Sequence, residues 1–427
     1  MKTASPERAT FSILIPFLGA IAALGPLSND LYVPSMSLVA DGLGVSGAAV
    51  QLTMSSLLIG FSFGALIYGP LSDRFGRKNV LLVGLGMYAV AGALAALSPT
   101  LGWLVLARAL QGFAASCGMV LSRAIILDRW RGEEASRALS WVSIFMFFTP
   151  VLAPLVGGYI SGFGYWPAIF WMQGSAGLLC LLVTLFMLPR ARRGVAGSVL
   201  ASIRAYGPIV KDTQALGYML CSALGFIGVV AFVSTASFVF VDYYGLTPQQ
   251  FGLSFSTVML GGSIGAYLNS HYVAQVGISR MLAFGSTTLA IGGVLVLLSS
   301  AFGGGVIGLV LAFMLYVFGI GAVFANTVAR TLSRYPQSLG AASSLFGVNQ
   351  FFIGGVVAAL LSRVTEPSPM PMAWVVAASG LACAGVWWLW LKPASAKLHD
   401  GPRKDASSTG ASAAEAARPA PPPDGLG

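Results

Sequence analysis

The chain has 427 residues, 56% of them hydrophobic and only 9% charged, with 24 Lys and Arg against 14 Asp and Glu for a net charge of +10. Soluble domains carry about 25% charged residues, so a water-soluble core is excluded and the solvent is lipid. The positive excess does not indicate nucleic acid, because the basic residues stand in short loops between apolar runs, the pattern that orients membrane helices.

A helix needs about 20 apolar residues to cross about 30 Å of hydrocarbon. The apolar pattern predicts twelve, over 11–35, 49–70, 80–98, 101–127, 138–160, 167–189, 214–240, 249–270, 281–300, 305–330, 339–362 and 372–391, with the cuts near 98–102 and 300–310 left open. Their many glycines suit close helix packing in a membrane. Residues 1–10 form a short N-terminus. The first apolar run is too long for a cleaved signal, contains Asp30 and lacks a small-x-small cleavage site. The basic connection 190–213 separates an N-terminal half (11–189) from a C-terminal half (214–392), six helices each. The tail 393–427, rich in Ala, Pro and Ser, reads as a disordered linker. With the loops assigned alternately to two sides, only Arg363 among the Lys and Arg falls outside, and Arg108 and Arg123 fall within helix 4. This bias predicts a multi-pass protein of the inner (cytoplasmic) membrane with both termini in the cytoplasm. The fold class is all-α integral membrane: twelve transmembrane helices in two six-helix pseudo-repeat halves. "NSHYVAQVGISRML" after helix 8 stands where "LSDRFGRKNVLL" stands after helix 2, and Gly277 and Arg280 echo Gly76 and Arg77 without the acid. Repeated halves are a transporter architecture with its site near the midplane.

Ionisable residues inside the membrane are functional candidates by default. Asp30 lies in the outer half of helix 1 between Pro26 and Pro34, and Arg108 lies at a similar depth in helix 4. Burial and a nearby arginine act in opposite senses on a carboxylate's proton affinity, so Asp30 is a candidate proton carrier; the alternative is a helix-end acid wetted at the outer interface. Arg108 hardly ever deprotonates; it tunes a carboxylate or binds a substrate dipole, with a fixed structural ion pair as the alternative. Arg123, nearer the inner end, either snorkels to the surface or anchors an inner gate. Between helices 2 and 3, "GPLSDRFGRKNV" (69–80) concentrates Asp73, Arg74, Arg77 and Lys78 between Gly69 and Val80. A positive-inside loop explains the cations but does not require Asp73 at a helix end. In helix 5, Pro150, Pro154, Gly157 and Gly158 remove backbone bonds and bulk, as a kinked, tightly packed helix requires. Tyr32, Trp141, Phe145, Phe232, Phe238 and Tyr316 are candidates to line a cavity, with lipid or packing contact as the alternative for each. Asp242 and Glu366 fall in outer loops and His271 in an inner one. Cys117, Cys180, Cys221 and Cys383 lie in apolar segments without metal-ligand spacing, so no metal is expected. There is no phosphate-binding loop of the G-x-x-x-x-G-K-[ST] type, so ATP drive is not encoded; the glycine pairs Gly84/Gly86 and Gly319/Gly321 fall within membrane helices and read as packing.

"GPLSDRFGRKNVLL" resembles the G-x-L-x-D-R-x-G-R-K signature of the major facilitator superfamily, in the expected place between helices 2 and 3. "LARALQGFAASCG" resembles that family's helix-4 motif, and "TPVLAPLVGG" its antiporter motif in helix 5. "LSNDLYVPSM", "SRAIILDRW" and "LGAASSLFGVNQFF" are similar to drug:proton antiporters of the bicyclomycin and chloramphenicol resistance type. The resemblance covers residues 10–392. It implies a secondary exporter of amphipathic drug-like molecules coupled to proton influx by alternating access, with a proton-coupled importer of a small metabolite as the alternative. It further implies that Gly69, Asp73, Gly76 and Arg77, with Asp128 and Arg123, form a cytoplasmic gate. Asp73 would face the start of helix 11 near Leu339–Ala342, where the helix dipole favours a carboxylate. Pro150, Pro154, Gly157 and Gly158 would seal the cavity against proton leak. No enzymatic activity and no cofactor are expected. The implied partners are a small-molecule substrate, protons and the lipid bilayer, with no nucleic acid, and the expected state is a monomer.

Overall fold

Apolar runs punctuated by glycine fold into helices throughout, and no strand occurs among the described residues. The architecture is that of a computed structural model, which describes residues 6–130, 132–188, 206–335, 339–363 and 368–393. Most of the central linker (189–205) and the tail from 394 lie outside the described residues.

The first crossing is broken: α1 (Pro6–Ala22) and α2 (Leu24–Asp30) are followed by a 3-10 turn (Val33–Ser35) and α3 (Met36–Leu43). The axis bends by 42° between Leu14–Ala22 and Leu24–Leu43. Proline is the cause: Pro26 and Pro34 have no N–H, so the carbonyls four residues earlier lose their helical donors. The remaining N-terminal helices are α4 (Gly47–Phe75), α5 (Arg77–Ala96), α6 (Leu101–Arg129), α7 (Gly132–Ser161) and α8 (Pro167–Met187). A short α9 (Tyr206–Lys211) precedes α10 (Thr213–Ser237), which ends in a π-helical turn (Phe238–Tyr243). Then come α11 (Pro248–Val276), α12 (Ile278–Ala301), α13 (Gly305–Ser333), α14 (Leu339–Leu361) and α15 (Pro369–Gly385). Among the described residues, ten helices can cross a membrane by length and composition, and the bent first segment makes an eleventh. In α7 the apolar stretch found is the shorter Phe148–Ser161. Two placements are corrected. Helix α11 continues to Val276, so His271 lies on a helix and not in a loop; Asp242 lies in the π-helical turn and not in a loop. In both cases the helix outlasts its apolar stretch.

The two halves share one glycine frame. Gly60 and Gly261, Gly64 and Gly265, Gly76 and Gly277, Gly84 and Gly285, and Gly92 and Gly293 are all 201 residues apart. Gly76 (φ 88°) and Gly277 (φ 90°) end α4 and α11 in the same backbone conformation, which disfavours residues with a Cβ. Side-chain caps repeat too: Ser46 accepts from Ala49 N at the start of α4, and Thr247 from Gln250 N at the start of α11. Each half therefore packs the same way, α4 on α6 like α11 on α13, and α5 on α8 like α12 on α15. The halves meet along two seams, α4 with α14 and α7 with α11.

Candidate functional site

The seam between α7 and α11 is backbone on backbone. A Cβ on Gly158 would lie 2.5 Å from the Pro248 carbonyl oxygen, and one on Gly252 would lie 2.5 Å from the Pro154 carbonyl oxygen. Gly157 packs on the Leu31 carbonyl, in the break of the first crossing. Thus Pro150, Pro154, Gly157 and Gly158 sit on a helix that touches both the broken first segment and the opposite half. The same end carries further contacts between halves: Ser37 Oγ lies 3.2 Å from Ser237 Oγ, and the Phe238 ring covers Gly47. A single apolar core there joins Leu31, Met36, Val39 and Val50 to Phe232, Phe238 and Phe251.

At the other end, where most of the charges lie, the cores are separate. One gathers Leu14, Leu81, Leu121 and Ile126 of the N-terminal half; another gathers Ile209, Ala215, Met219, Ala342 and Phe346 of the C-terminal half. Every ion pair among the described residues lies within one half. Arg77 bridges Asp73 (2.5 Å) and Asp128 (3.0 Å) and also donates to Ser72 Oγ. Gly69 has open space beside it, and Gly76 makes the turn. Lys78 donates to the Leu185 carbonyl (2.8 Å) and to that of Leu188, closing the end of α8. In the other half Asp212 caps α10 through Gln214 N and Ala215 N, and accepts from Arg334 Nε (2.7 Å) and Tyr335 OH (2.8 Å). Burial would raise the Asp212 carboxyl, but these donors outweigh it and hold it below the ordinary carboxylate range. The expected approach of Asp73 to Leu339–Ala342 is not a described contact in this conformation: Asp73 pairs with Arg77 in its own half, and Ala342 packs in the other.

In mid-membrane the N-terminal half holds a polar cluster. Asp30 and Arg108 are the only charged residues buried among those described, 6% and 0% exposed. Arg108 Nη1 donates to the Ser28 carbonyl (3.0 Å) and to Gln111 Oε1 (2.8 Å). Gln111 Nε2 donates to Gln173 Oε1 (2.8 Å), and Gln173 Nε2 returns to the Ser28 carbonyl (3.3 Å). Tyr88 OH lies 2.6 Å from Ser28 Oγ. The guanidinium sits over the Tyr32 ring at 4.6 Å and the Phe170 ring at 5.6 Å, while Nε and Nη2 have no protein acceptor. Arg108 is therefore not in an ion pair; neutral acceptors and ring faces hold it. Asp30 accepts from Asn29 Nδ2 at 2.8 Å and is in no ion pair among the described residues. Arg123 is partly buried, with no hydrogen bond to a described residue. Gln111 belongs to the helix-4 motif "LARALQGFAASCG", whereas Ser28, Tyr88 and Gln173 are absent from the site residues expected from sequence; for Gln173, a lone glutamine inside the apolar run "FWMQGSAG" was the available signal.

The aromatic candidates separate. Tyr32 is buried under Arg108 with its hydroxyl 2.9 Å from Thr53 Oγ1. Phe145 packs over Gly19, and Trp141 is exposed. Phe232 and Tyr316 are fully buried in this conformation: the Phe232 ring packs on Phe313 (4.4 Å), and Tyr316 OH bonds the Gly225 carbonyl (2.9 Å) and Ser379 (3.0 Å). Phe238 belongs to the core joining the halves.

The comparisons agree with this architecture. The family model described as Major Facilitator Superfamily matches residues 18–359. An uncharacterized MFS-type transporter of Bacillus subtilis is 34% identical, over 86% of this chain and 91% of its own. A bicyclomycin resistance protein homolog of Haemophilus influenzae is 31% identical, over 87% and 94%. Multidrug resistance protein D of Escherichia coli is 25% identical, over 91% and 97%. Among solved structures, the partially occluded inward-open xylose transporter XylE of E. coli superposes with a TM-score of 0.71 at 17% identity, over 90% of this chain and 98% of that one, a likeness of fold.

Proposed function

The chain belongs to the Major Facilitator Superfamily, and from that premise we propose that it exports amphipathic drug-like molecules from the cell in exchange for protons. The name of the bicyclomycin resistance relative supports the substrate class. Orientation follows from charge: Arg74, Arg77, Lys78, Arg129, Arg330 and Arg334 lie at one end, and Arg363 is the described cation at the other. The positive-inside rule supports taking the basic end as cytoplasmic, in keeping with a protein of the inner membrane whose termini both lie in the cytoplasm. The conformation, joined at the outer end and divided at the inner, is then inward-facing.

The observation that carries the reading is Asp30, the one buried carboxyl among the described residues. It lies where a broken helix, the sealing helix α7 and the polar cluster converge. A proton taken there from outside and lost inside drives export. Each charge gains about 2.3 kcal/mol per 100 mV and about 1.36 kcal/mol per pH unit. One proton therefore sustains a substrate gradient of about a hundredfold. Arg108, held by neutral partners, supplies a fixed positive charge in the same half as the exchanging carboxyl. Asp73, Arg77 and Asp128, with Gly69, Gly76 and Arg123, form the inner gate; here Arg77 keeps the two carboxylates within their own half while the gate is open. Pro150, Pro154, Gly157 and Gly158 seal the outer side. Tyr32, Trp141, Phe145, Phe232, Phe238 and Tyr316 meet substrate as the cavity reshapes through the cycle. The protein works as a monomer without cofactor.

The test is accumulation of a labelled antibiotic in cells lacking their main efflux pumps, with and without an uncoupler. Export predicts lower accumulation when the protein is expressed and a rise on uncoupling. A fall on uncoupling would make the protein an importer.

A further inference from the structure

We propose that a groove between α12 and α15 is a binding site for an anionic phospholipid of the inner leaflet, with one acyl chain in the groove and the phosphate at Arg280 and Lys392. The inference takes only the orientation from the proposed function and does not depend on what is transported.

The groove is the first observation. Helix α15 runs into a π-helical turn (Val386–Leu391) that buries Trp387 and leaves Trp388 on the surface. Trp388 reaches back to α12, where its Nε1 donates to Thr287 Oγ1 (3.2 Å). From that bond toward the outer side lies a groove of about 320 Å³ between the two helices. Its walls include Thr287, Ile291 and Leu295 of α12 and Leu381, Ala384 and Trp388. Ile291, Leu295 and Leu381 are exposed, so the groove opens sideways to lipid and a chain lies in along its length. Thr287 to Leu295 spans about 12 Å, close to the inner half of a hydrocarbon core about 30 Å thick.

The other half shows that this groove is not a general feature of the lipid face. Gly177 of α8 packs on Tyr88 of α5, and Gly380 of α15 packs on Leu289 of α12, the residue 201 positions after Tyr88. Leu181 and Ala384, each four residues further on, therefore occupy the same place. In the N-terminal half Leu181 fills it: a Cβ on Gly86 would lie 3.4 Å from Leu181 Cδ1. In the C-terminal half the counterpart of Gly86 is Thr287, and Ala384 lacks the three outer carbons of a leucine. The protein packs this position in one half and leaves it to the bilayer in the other.

Charge selects the lipid. Arg280 is exposed, seven residues before Thr287 and so two turns nearer the basic end on the same face of α12. Lys392 stands four residues after Trp388, with Nζ 4.1 Å from its ring centroid. The Thr287–Trp388 bond fixes the register, so both cations flank the inner mouth of the groove. No acidic residue occurs in α12, α15 or the π-helical turn to oppose an anion there. In the N-terminal half the corresponding cation is spent within the protein, since Lys78 donates to the carbonyls of Leu185 and Leu188. Basic pockets between helices on the cytoplasmic side suit anionic headgroups, and each cation near the surface strengthens attachment about fivefold. Trp388 stands at this boundary, where amphipathic rings favour the headgroup level.

The experiment uses the full chain in nanodiscs of zwitterionic phosphatidylcholine, doped with a phosphatidylglycerol that carries a photoactivated diazirine on one acyl chain. Labelled peptides are mapped by mass spectrometry. No transport is measured, so failure here and failure of the export reading are separate results. Labelling of 284–295 and 381–391 is expected to exceed that of the matching segments 83–94 and 178–188 about tenfold. A phosphatidylcholine probe should lack the excess. Ala384→Leu, which copies Leu181, should remove it. Arg280→Gln combined with Lys392→Gln changes only the surface and should lower phosphatidylglycerol labelling to the phosphatidylcholine level. Equal labelling of the two halves, or labelling unmoved by Ala384→Leu, would overturn the groove as a site. Equal labelling by the two headgroups in the unaltered protein would overturn its preference for an anion.

Discussion

The two halves share a skeleton and differ in what they bury. Gly60 packs on the Ala109 carbonyl of α6, and Gly261 packs on the Met314 carbonyl of α13. One residue earlier in each partner helix stands the contrast: Arg108 in the N-terminal half and Phe313 in the C-terminal half, both fully buried. Around Arg108 are glutamines, a serine carbonyl and two ring faces; around Phe313 are Phe232, Phe255 and their neighbours. Two residues further on, both halves carry a polar side chain, Gln111 and Tyr316, each tied to a neighbouring helix. Helix geometry and glycine contacts thus set the frame, and side chains placed in that frame divide the work. One half buries an arginine and a carboxyl, and the other presents an apolar, aromatic wall.

The sharpest way to break the comparison is to move the carboxyl. Asp30→Asn should abolish uphill export, a loss of more than about a hundredfold on the proton-drive arithmetic, while drug binding persists. Ala231 occupies the position 201 residues after Asp30 and is fully buried. Adding Ala231→Asp to the Asn variant should not restore export, because that site has no polar cluster beside it. Transport into inverted vesicles measures both, and rescue by Ala231→Asp would show the halves to be interchangeable.

The two seams offer a smaller break. Gly158→Val forces side-chain atoms onto the Pro248 carbonyl, a backbone atom with little room to retreat. Overpacking of this kind costs about 1–3 kcal/mol, here directed against the outer-closed state. Outer labelling of a cysteine at position 37 should rise about tenfold or more. Gly347→Val is the control, because its Cβ would meet open space; it should leave labelling unchanged. Equal effects from the two substitutions would remove the distinction between a sealed end and an open one.

At the inner end the comparison turns on an acid that only one half carries. Asp73 is held by Arg77, while at the equivalent turn after α11 Ser279 accepts from Arg330 (3.1 Å). Asp73→Asn should slow transport about tenfold with normal insertion, since the pair is half exposed and exposed pairs contribute about 1 kcal/mol or less to stability. Normal export by a well-inserted Asn variant would leave the loop with a role in orientation alone.

Much of this was legible in the sequence, and the limits have physical causes. Long apolar runs and basic loops identify membrane helices because lipid leaves the backbone few other options. The Asp73–Arg77 pair was readable through the resemblance of "GPLSDRFGRKNVLL" to the family signature, and the same resemblance, not a local pattern, named Asp128 at the end of α6. The polar cluster was not, because Ser28, Gln111 and Gln173 come from three helices whose meeting point no local pattern encodes. For the same reason sequence leaves the partner of Arg108 open between a carboxylate and a substrate dipole, whereas neutral acceptors hold it here. Sequence leaves Phe232 and Tyr316 open between cavity and packing because both draw on the same aromatic residues. The repeat looked faint because little beyond its glycines and helix caps survives at fixed spacing, and the side chains between them have diverged with the chemistry.

The smallest expected effect concerns the clamp found only in the C-terminal half. Asp212 caps α10 and receives Arg334 and Tyr335 from the end of α13; at the matching end of α6 the acid–base pair is instead Asp128 with Arg77 of α5. The donors hold the Asp212 carboxyl below its ordinary range. A group depressed on folding contributes stability that is complete above the unfolded value and is lost as pH falls through the folded one. Asp212→Ala removes both the cap and the pair, and cap loss alone costs about 1 kcal/mol. Its melting temperature in detergent should therefore lie a few degrees below that of the unaltered protein at pH 7. As pH drops below about 4 the gap should narrow, because the protonated native side chain no longer draws the Arg334 charge. Asp212→Asn, which retains a capping oxygen, should show a smaller gap with little pH dependence. A gap for Asp212→Ala that stays constant from neutral to acid pH would assign the whole effect to the cap and none to the ion pair.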